Sequence, residues 1–289
     1  MNIKNILYST VVGMAALSTV ACSNIDENDR LIYVKPAEVG RAMLIEDFTG
    51  QRCVNCPKGT DAINAIVETY GEENVIAVGI HSGPLGFAGS ATLEGLMTDT
   101  GNEYYNRWDS EKKLGQPWAM FSRSTTPNSD YSTWSASVAS LISQKAVMSI
   151  DINNSYDEAT QTISTSIDVF GTDGTANGKL QVWVIEDGVK AMQLMPDGSR
   201  NAEYIHNHVF RAAVNGTWGE DVVVKEGEHT QKQYTYTIPT KPATATVAEH
   251  IAWQPQNVSI VAFVYNDREV MQVAKKPIIA KAEADEVVE

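Results

Sequence analysis

The stretch RAMLIEDFTGQRCVNCPKG, residues 41–59, decides how the first half of the chain folds. Its opening eight residues form a continuous apolar run with few turn formers, the pattern of a buried strand. After the cysteines, Ala62, Ile63, Ile66, Val67 and Tyr70 recur at helical spacing, and Gly71 is placed to end the helix. NVIAVGI, residues 74–80, reads as a second buried strand. Strand, helix and strand in this order predict a right-handed βαβ unit on a parallel sheet.

Cys53 and Cys56 thus fall where a strand hands over to a helix. Backbone N–H groups and the helix dipole stabilise negative charge there, so a thiolate is favoured. Cys53 is the expected attacking thiol and Cys56 the resolving one. Arg52 adds positive charge beside them, and Pro57 suits a first helical position. On residue chemistry alone three readings stand: a redox pair, a metal clip or a static link. A CxxC closes too short a loop to gain much chain entropy, which weighs against the third.

Within this stretch, EDFTGQRCVNC resembles the active-site segment of thioredoxins. The resemblance implies a proton-handling role for Asp47, six residues before Cys53. It also implies a cis-proline strand beside the cysteines, for which Gln116–Pro117 in LGQPWAMFSR, residues 114–123, is the candidate. Arg52 stands where that family carries Trp, and Val54–Asn55 where it carries Gly–Pro. Residues 81–113 are an insertion bordering the CxxC. Asp130 is placed to cap a further helix carrying Trp134, Val138, Leu141 and Ile142, closing the domain near residue 147.

From residue 148 the texture changes to short runs separated by turns, among them QTISTSIDVFG, GKLQVWVIEDG, KQYTYTIPT and NVSIVAFVYND. At least six strands without an intervening helix predict an antiparallel, immunoglobulin-like sandwich. The expected fold class is therefore an α/β thioredoxin-like domain (38–147) followed by an all-β immunoglobulin-like sandwich (148–280), with a polar tail at 281–289. In YIHNHVFR, His206 and His208 would face the same way on an extended strand. They and Arg211 form a candidate polar cluster. Zinc held by the CxxC with both histidines is a competing reading that requires three or four donors to converge; otherwise no cofactor is expected beyond a redox-active disulfide.

Residues 1–21 have one lysine, an apolar stretch and small residues before Cys22, the form of an export signal. STVAC resembles a bacterial lipobox, which implies lipidation of Cys22 and a membrane anchor, with Thr19 where such boxes usually carry Leu. An ordinary secretory signal is the competing reading. SNIDENDR then begins a polar, acidic tether spanning 22–37. A net charge of −14 argues against a nucleic-acid partner. The chain has no run of 18 apolar residues to act as a membrane span.

Taken together, the lipobox, LIEDFTGQRCVNCPKG, GQPWAMFSR, YIHNHVFR and SIVAFVYNDREVMQ resemble the outer membrane protein 28 family of Bacteroidetes lipoproteins. That resemblance implies an outer-membrane lipoprotein and leaves the substrate open. The main functional expectation is thiol–disulfide exchange on an envelope or extracellular protein. The alternative is a non-enzymatic surface binding or adhesion protein with a structural CxxC.

Overall fold

In the computed structural model, which describes residues 39–90, 92–111, 113–124, 126–239 and 252–280, a two-residue strand β1 (Val39–Gly40) leads into β2 (Met43–Thr49). Cys22, the export signal, the acidic tether and the tail lie outside the described residues. Every residue of β2 is buried, as befits a strand covered on both faces. Helix α1 (Cys56–Tyr70) takes Pro57 in its first turn, where a missing N–H costs nothing. It stops at Gly71, whose φ of +86° suits glycine and whose N–H donates to the Val67 carbonyl at 2.8 Å. Strand β3 (Val75–His81) then pairs parallel with β2, from Met43 opposite Val75 to Thr49 opposite His81.

Next come α2 (Asp99–Trp108), capped by the Thr98 hydroxyl, and β4 (Trp118–Phe121), antiparallel to β2. Asp130 caps a single 3₁₀ turn that runs into α3 (Trp134–Leu141). The rest is β: β5 (Lys145–Ala146), β6 (Met148–Asp157), β7 (Thr162–Gly171), β8 (Thr175–Glu186), β9 (Val189–Leu194), β10 (Arg200–His206), β11 (Val209–Ala213), β12 (Glu220–Lys225), β13 (His229–Thr237), β14 (Val258–Tyr265) and β15 (Val270–Pro277).

These strands overturn the expected pairing of an α/β thioredoxin-like domain with a separate immunoglobulin-like sandwich. The protein is predominantly β. One eight-stranded sheet, in the order β15-β14-β8-β11-β3-β2-β4 with β12 also on β8, takes strands from both halves of the chain. The join is β11 on β3: Val209 pairs with Gly79, and the Gly79 N–H donates to the His208 carbonyl at 2.8 Å. Sandwich-like packing persists, since β13, β7 and β6 form a three-stranded sheet against this large one. The described residues form one compact unit.

Packing explains why the halves do not separate. One face of the large sheet carries a continuous core in which Leu44, Ile76 and Val78 meet Trp183, Phe210 and Phe263. On the opposite face, α1 and α3 cover Met43, Ile45 and Ala77, while β6 and β7 cover Val182, Val184 and Ile260. Strand β14 is accordingly buried at seven of its eight positions, unlike the alternating strand of a solvated sandwich. A buried ion pair adds a polar link: Arg123 donates to both Glu46 oxygens, at 2.9 and 2.7 Å, with its guanidinium over the rings of Phe263 and Tyr265.

Candidate functional site

The turn between β2 and α1 makes the site. Gly50 sits so close to the Leu85 carbonyl that a Cβ there would lie 2.3 Å from its oxygen, which only glycine tolerates. The Cys53 N–H donates to the Gly50 carbonyl, and Cys56 opens the helix. Cys53 and Cys56 are joined as a disulfide and are 1% and 2% exposed. Between them Val54 and Asn55 reach solvent. Arg52 is also exposed, its guanidinium 4.7 Å from the centre of the Phe87 ring.

The β9–β10 hairpin roofs this turn. Gln193 donates from its amide to the carbonyls of Cys53, at 2.8 Å, and Gly50, at 3.3 Å. Gln51, wholly buried, donates to the carbonyls of Met192 and Glu94 and accepts from the Leu96 N–H, while its own carbonyl accepts from the Leu194 N–H. A single glutamine therefore ties the turn to both the hairpin and the 81–113 segment. Neither Gln51 nor Gln193 carries a motif by which sequence reading finds it.

Pro117 follows a cis peptide bond and packs on the first turns of α1, where a Cβ on Gly59 would meet its ring at 3.0 Å. Gln116 anchors that segment, donating to the carbonyls of Thr49 and Ser82 and accepting from the Leu85 N–H.

Beneath the disulfide, Asp47 and Cys56 line a cavity of about 30 Å³ together with His81, Tyr204 and His206. Burial pushes the Asp47 carboxyl up to about 7, and its Oδ1 has no hydrogen-bond partner among the described residues. His81 Nε2 lies 3.3 Å from His206 Nδ1. Burial and the neighbouring His206 hold His81 well below its ordinary value, and burial brings His206 down to about 4. At neutral pH both rings are uncharged, and the pair shares one hydrogen bond. His81 was not singled out in the sequence; it ends a buried apolar strand, and only the fold brings it to His206.

His206, His208 and Arg211 take separate partners. His206 faces the cavity, but His208 has a φ of +56°, which breaks the strand alternation on which a shared orientation depends. Its Nδ1 lies 3.1 Å from Asp187. Arg211 lies 3.5 Å from Glu186, with its guanidinium over the Trp253 ring. Among the described residues no group of three or more His, Cys, Asp or Glu side chains is arranged to hold a metal ion. No helix among them is long and apolar enough to cross a membrane.

In overall structure the chain is similar to HBP35 of Porphyromonas gingivalis, with a TM-score of 0.59 at 11% identity over 88% of this chain and 81% of that one. A domain of the outer membrane lipoprotein Omp28 from Porphyromonas gingivalis aligns at 28% identity and a TM-score of 0.33, over 46% of this chain and 88% of that one. Comparison with curated proteins gives no match. Residues 101–281, more than half of the chain, match the family described as outer membrane protein Omp28. That range takes in Pro117, His206, His208 and Arg211 and leaves out Asp47, Cys53 and Cys56. The chain therefore belongs to the Omp28 family, and its place is the outer membrane.

Proposed function

We propose that this protein is a non-enzymatic binding lipoprotein displayed at the outer membrane surface, anchored through Cys22, in which Cys53–Cys56 is a structural link. The observation that carries the reading is the burial of the cysteines at 1% and 2% exposure under a hairpin bonded to the Cys53 carbonyl. An attacking thiolate needs access to a partner disulfide, and a buried sulfur is inert to exchange. The part of the chain that matches the family lies beyond both cysteines, which also favours a shared role that does not run through them. The link acts by shaping the turn and packing as a small apolar group, since so short a loop adds little chain entropy.

One observation favours the second reading, thiol–disulfide exchange: the raised carboxyl of Asp47 lines the same cavity as Cys56 and would take a proton there. Mild reduction followed by alkylation separates the two. For a structural link, neither thiol is labelled until the protein unfolds, and insulin reduction stays at background. Fast labelling of Cys53 in the folded protein, with turnover lost in Cys53→Ser, would overturn the proposal.

A further inference from the structure

Met43, Ile45 and Asp47 lie on one face of β2, with Val75, Ala77, Gly79 and His81 beside them on β3. Helix α1 covers the apolar part of that face, and toward the N-terminal end of α1 the face turns polar. There Asp47 and His81 stand on a diagonal across the two strands, and His206, at the end of β10, meets His81. Asp47, His81 and His206 are 4%, 4% and 6% exposed, and each keeps one buried atom without a hydrogen-bond partner among the described residues: Oδ1, Nδ1 and Nε2. Native folds pair their buried polar atoms, so three such atoms around one cavity point to a ligand rather than to packing.

The protons of the histidine pair say what that ligand is. A neutral imidazole carries one proton on two nitrogens. When the rings hydrogen-bond to each other, the donor uses its inner nitrogen and its outer nitrogen is bare. The Gly79 carbonyl lies beside His81, and the Ala191 and Met192 carbonyls lie beside His206. A bare nitrogen and a carbonyl are both acceptors, so the hydrogen-bonded pair cannot satisfy both outer positions at once. Two outward N–H groups can, and that tautomer turns two lone pairs toward each other across 3.3 Å, from His81 Nε2 to His206 Nδ1. Only a cation makes such an arrangement favourable. Carbonyls behind the far nitrogens are also what orients imidazoles that ligate metals.

From this geometry we propose that His81 and His206 form a two-ligand site for a soft monovalent cation, Cu(I) or Ag(I), held in line between Nε2 of His81 and Nδ1 of His206. A filled-shell monovalent ion takes two ligands in line, whereas zinc takes four, and no third His, Cys, Asp or Glu donor joins the pair among the described residues. Cys56 lines the cavity, but its sulfur is held in the disulfide. The Asp47 carboxylate in the same cavity is the counter-charge: one positive ion leaves the site neutral, and a divalent ion would leave a net buried charge. Arg211, whose charge reaches His81, is paired with Glu186. With metal–nitrogen bonds of about 2 Å the two nitrogens open from 3.3 Å to about 4 Å, and the cavity beside His206 takes up the shift. Asn207, exposed, and Tyr204, half-buried, line the cavity next to His206, so an ion reaches the pair from solvent. The site goes beyond the surface-binding reading and does not rest on it.

The test uses the full mature chain carrying Cys22→Ser, with Cys53–Cys56 oxidised so that no thiol remains. It is titrated against Cu(I) held by a coloured competing chelator, with Ag(I) as a probe that changes no oxidation state and Zn(II) as the control ion. One equivalent of Cu(I) or Ag(I) should bind, and copper X-ray absorption should show two nitrogen neighbours and no sulfur. His81→Gln and His206→Gln should each weaken binding at least tenfold and Asp47→Asn several-fold, while His229→Gln, on an exposed strand, leaves it unchanged. Unfolding curves show which variants are folded, and if neither histidine variant folds, the absorption spectrum of the parent chain decides alone. Absence of stoichiometric uptake, sulfur in the copper shell, unchanged affinity in a folded His81→Gln or His206→Gln, or zinc held as tightly as Cu(I) would each overturn the assignment. Alkylation of Cys53 and Cys56 is read separately, so neither result decides the other.

Discussion

Replacing Asp47 with Asn should stabilise the protein at alkaline pH and leave it unchanged in acid. In the unfolded chain the carboxyl titrates near 3.8, and in the fold at about 7. A raised acid works against folding as pH climbs: between these values the unfolded state ionises while the native state keeps its proton, and above 7 the buried carboxylate carries the full desolvation penalty. A difference of about 3 in pKa corresponds to about 4 kcal/mol, an upper figure because the surroundings relax on ionisation. Asn preserves the shape and removes the charge, so the gap between variant and wild type should grow from about zero at pH 4 to a few kcal/mol at pH 8.

His206 supplies the opposite slope. Its folded value of about 4 lies below its ordinary 6.5, so its contribution is fully present above 6.5 and is lost as pH falls toward 4. His81, lowered in the same direction, adds to it. In the wild type the Asp47 slope cancels one of the two histidine slopes between pH 4 and 6.5, so stability rises gently with pH; in Asp47→Asn it should rise about twice as steeply across that window. Urea unfolding of both proteins from pH 4 to 8, with the disulfide kept oxidised, measures this. A variant less stable than wild type at pH 8, or a gap that does not change with pH, would refute the reasoning.

Two further outcomes follow from buried polar contacts. Glu46→Gln leaves the Arg123 guanidinium without a counter-charge among aromatic rings and should cost about 3–5 kcal/mol, read as a lower denaturant midpoint; the Glu46→Leu, Arg123→Met double variant should recover most of it. Gln193→Ala removes the amide bonds to the Cys53 and Gly50 carbonyls, a loss of about 1–3 kcal/mol. Hydrogen exchange should quicken across residues 189–206 and at the disulfide turn while the large sheet keeps its protection, and uniform protection in the variant would contradict the hairpin's role as a roof.

The local elements of the first half were legible because their signals are local. The run ending in Phe48, the helical spacing from Ala62 to Tyr70 and the apolar segment at 74–80 each decide their own conformation, and the structure has β2, α1 and β3 there. Partnership between strands is not local. Nothing in NVIAVGI says that Gly79 will receive Val209, and a change from helical to alternating texture at residue 148 looks like a domain boundary although the sheet crosses it. One clue was available. VWVI and IVAFVY are unbroken apolar runs, and such strands are covered on both faces; an independent two-sheet sandwich does not cover them that way, so another layer had to come from the first half. The site divides on the same line. Cys53 and Cys56 share one strand–helix turn and are found by spacing, and Asp47 on the strand before it by the resemblance to thioredoxins, whereas His81 meets His206, and Gln51 meets the hairpin, only once β11 is laid beside β3. The long-range pairing that corrected the fold is also what closes the disulfide off from solvent, so the fold and the chemistry of this turn have a single cause.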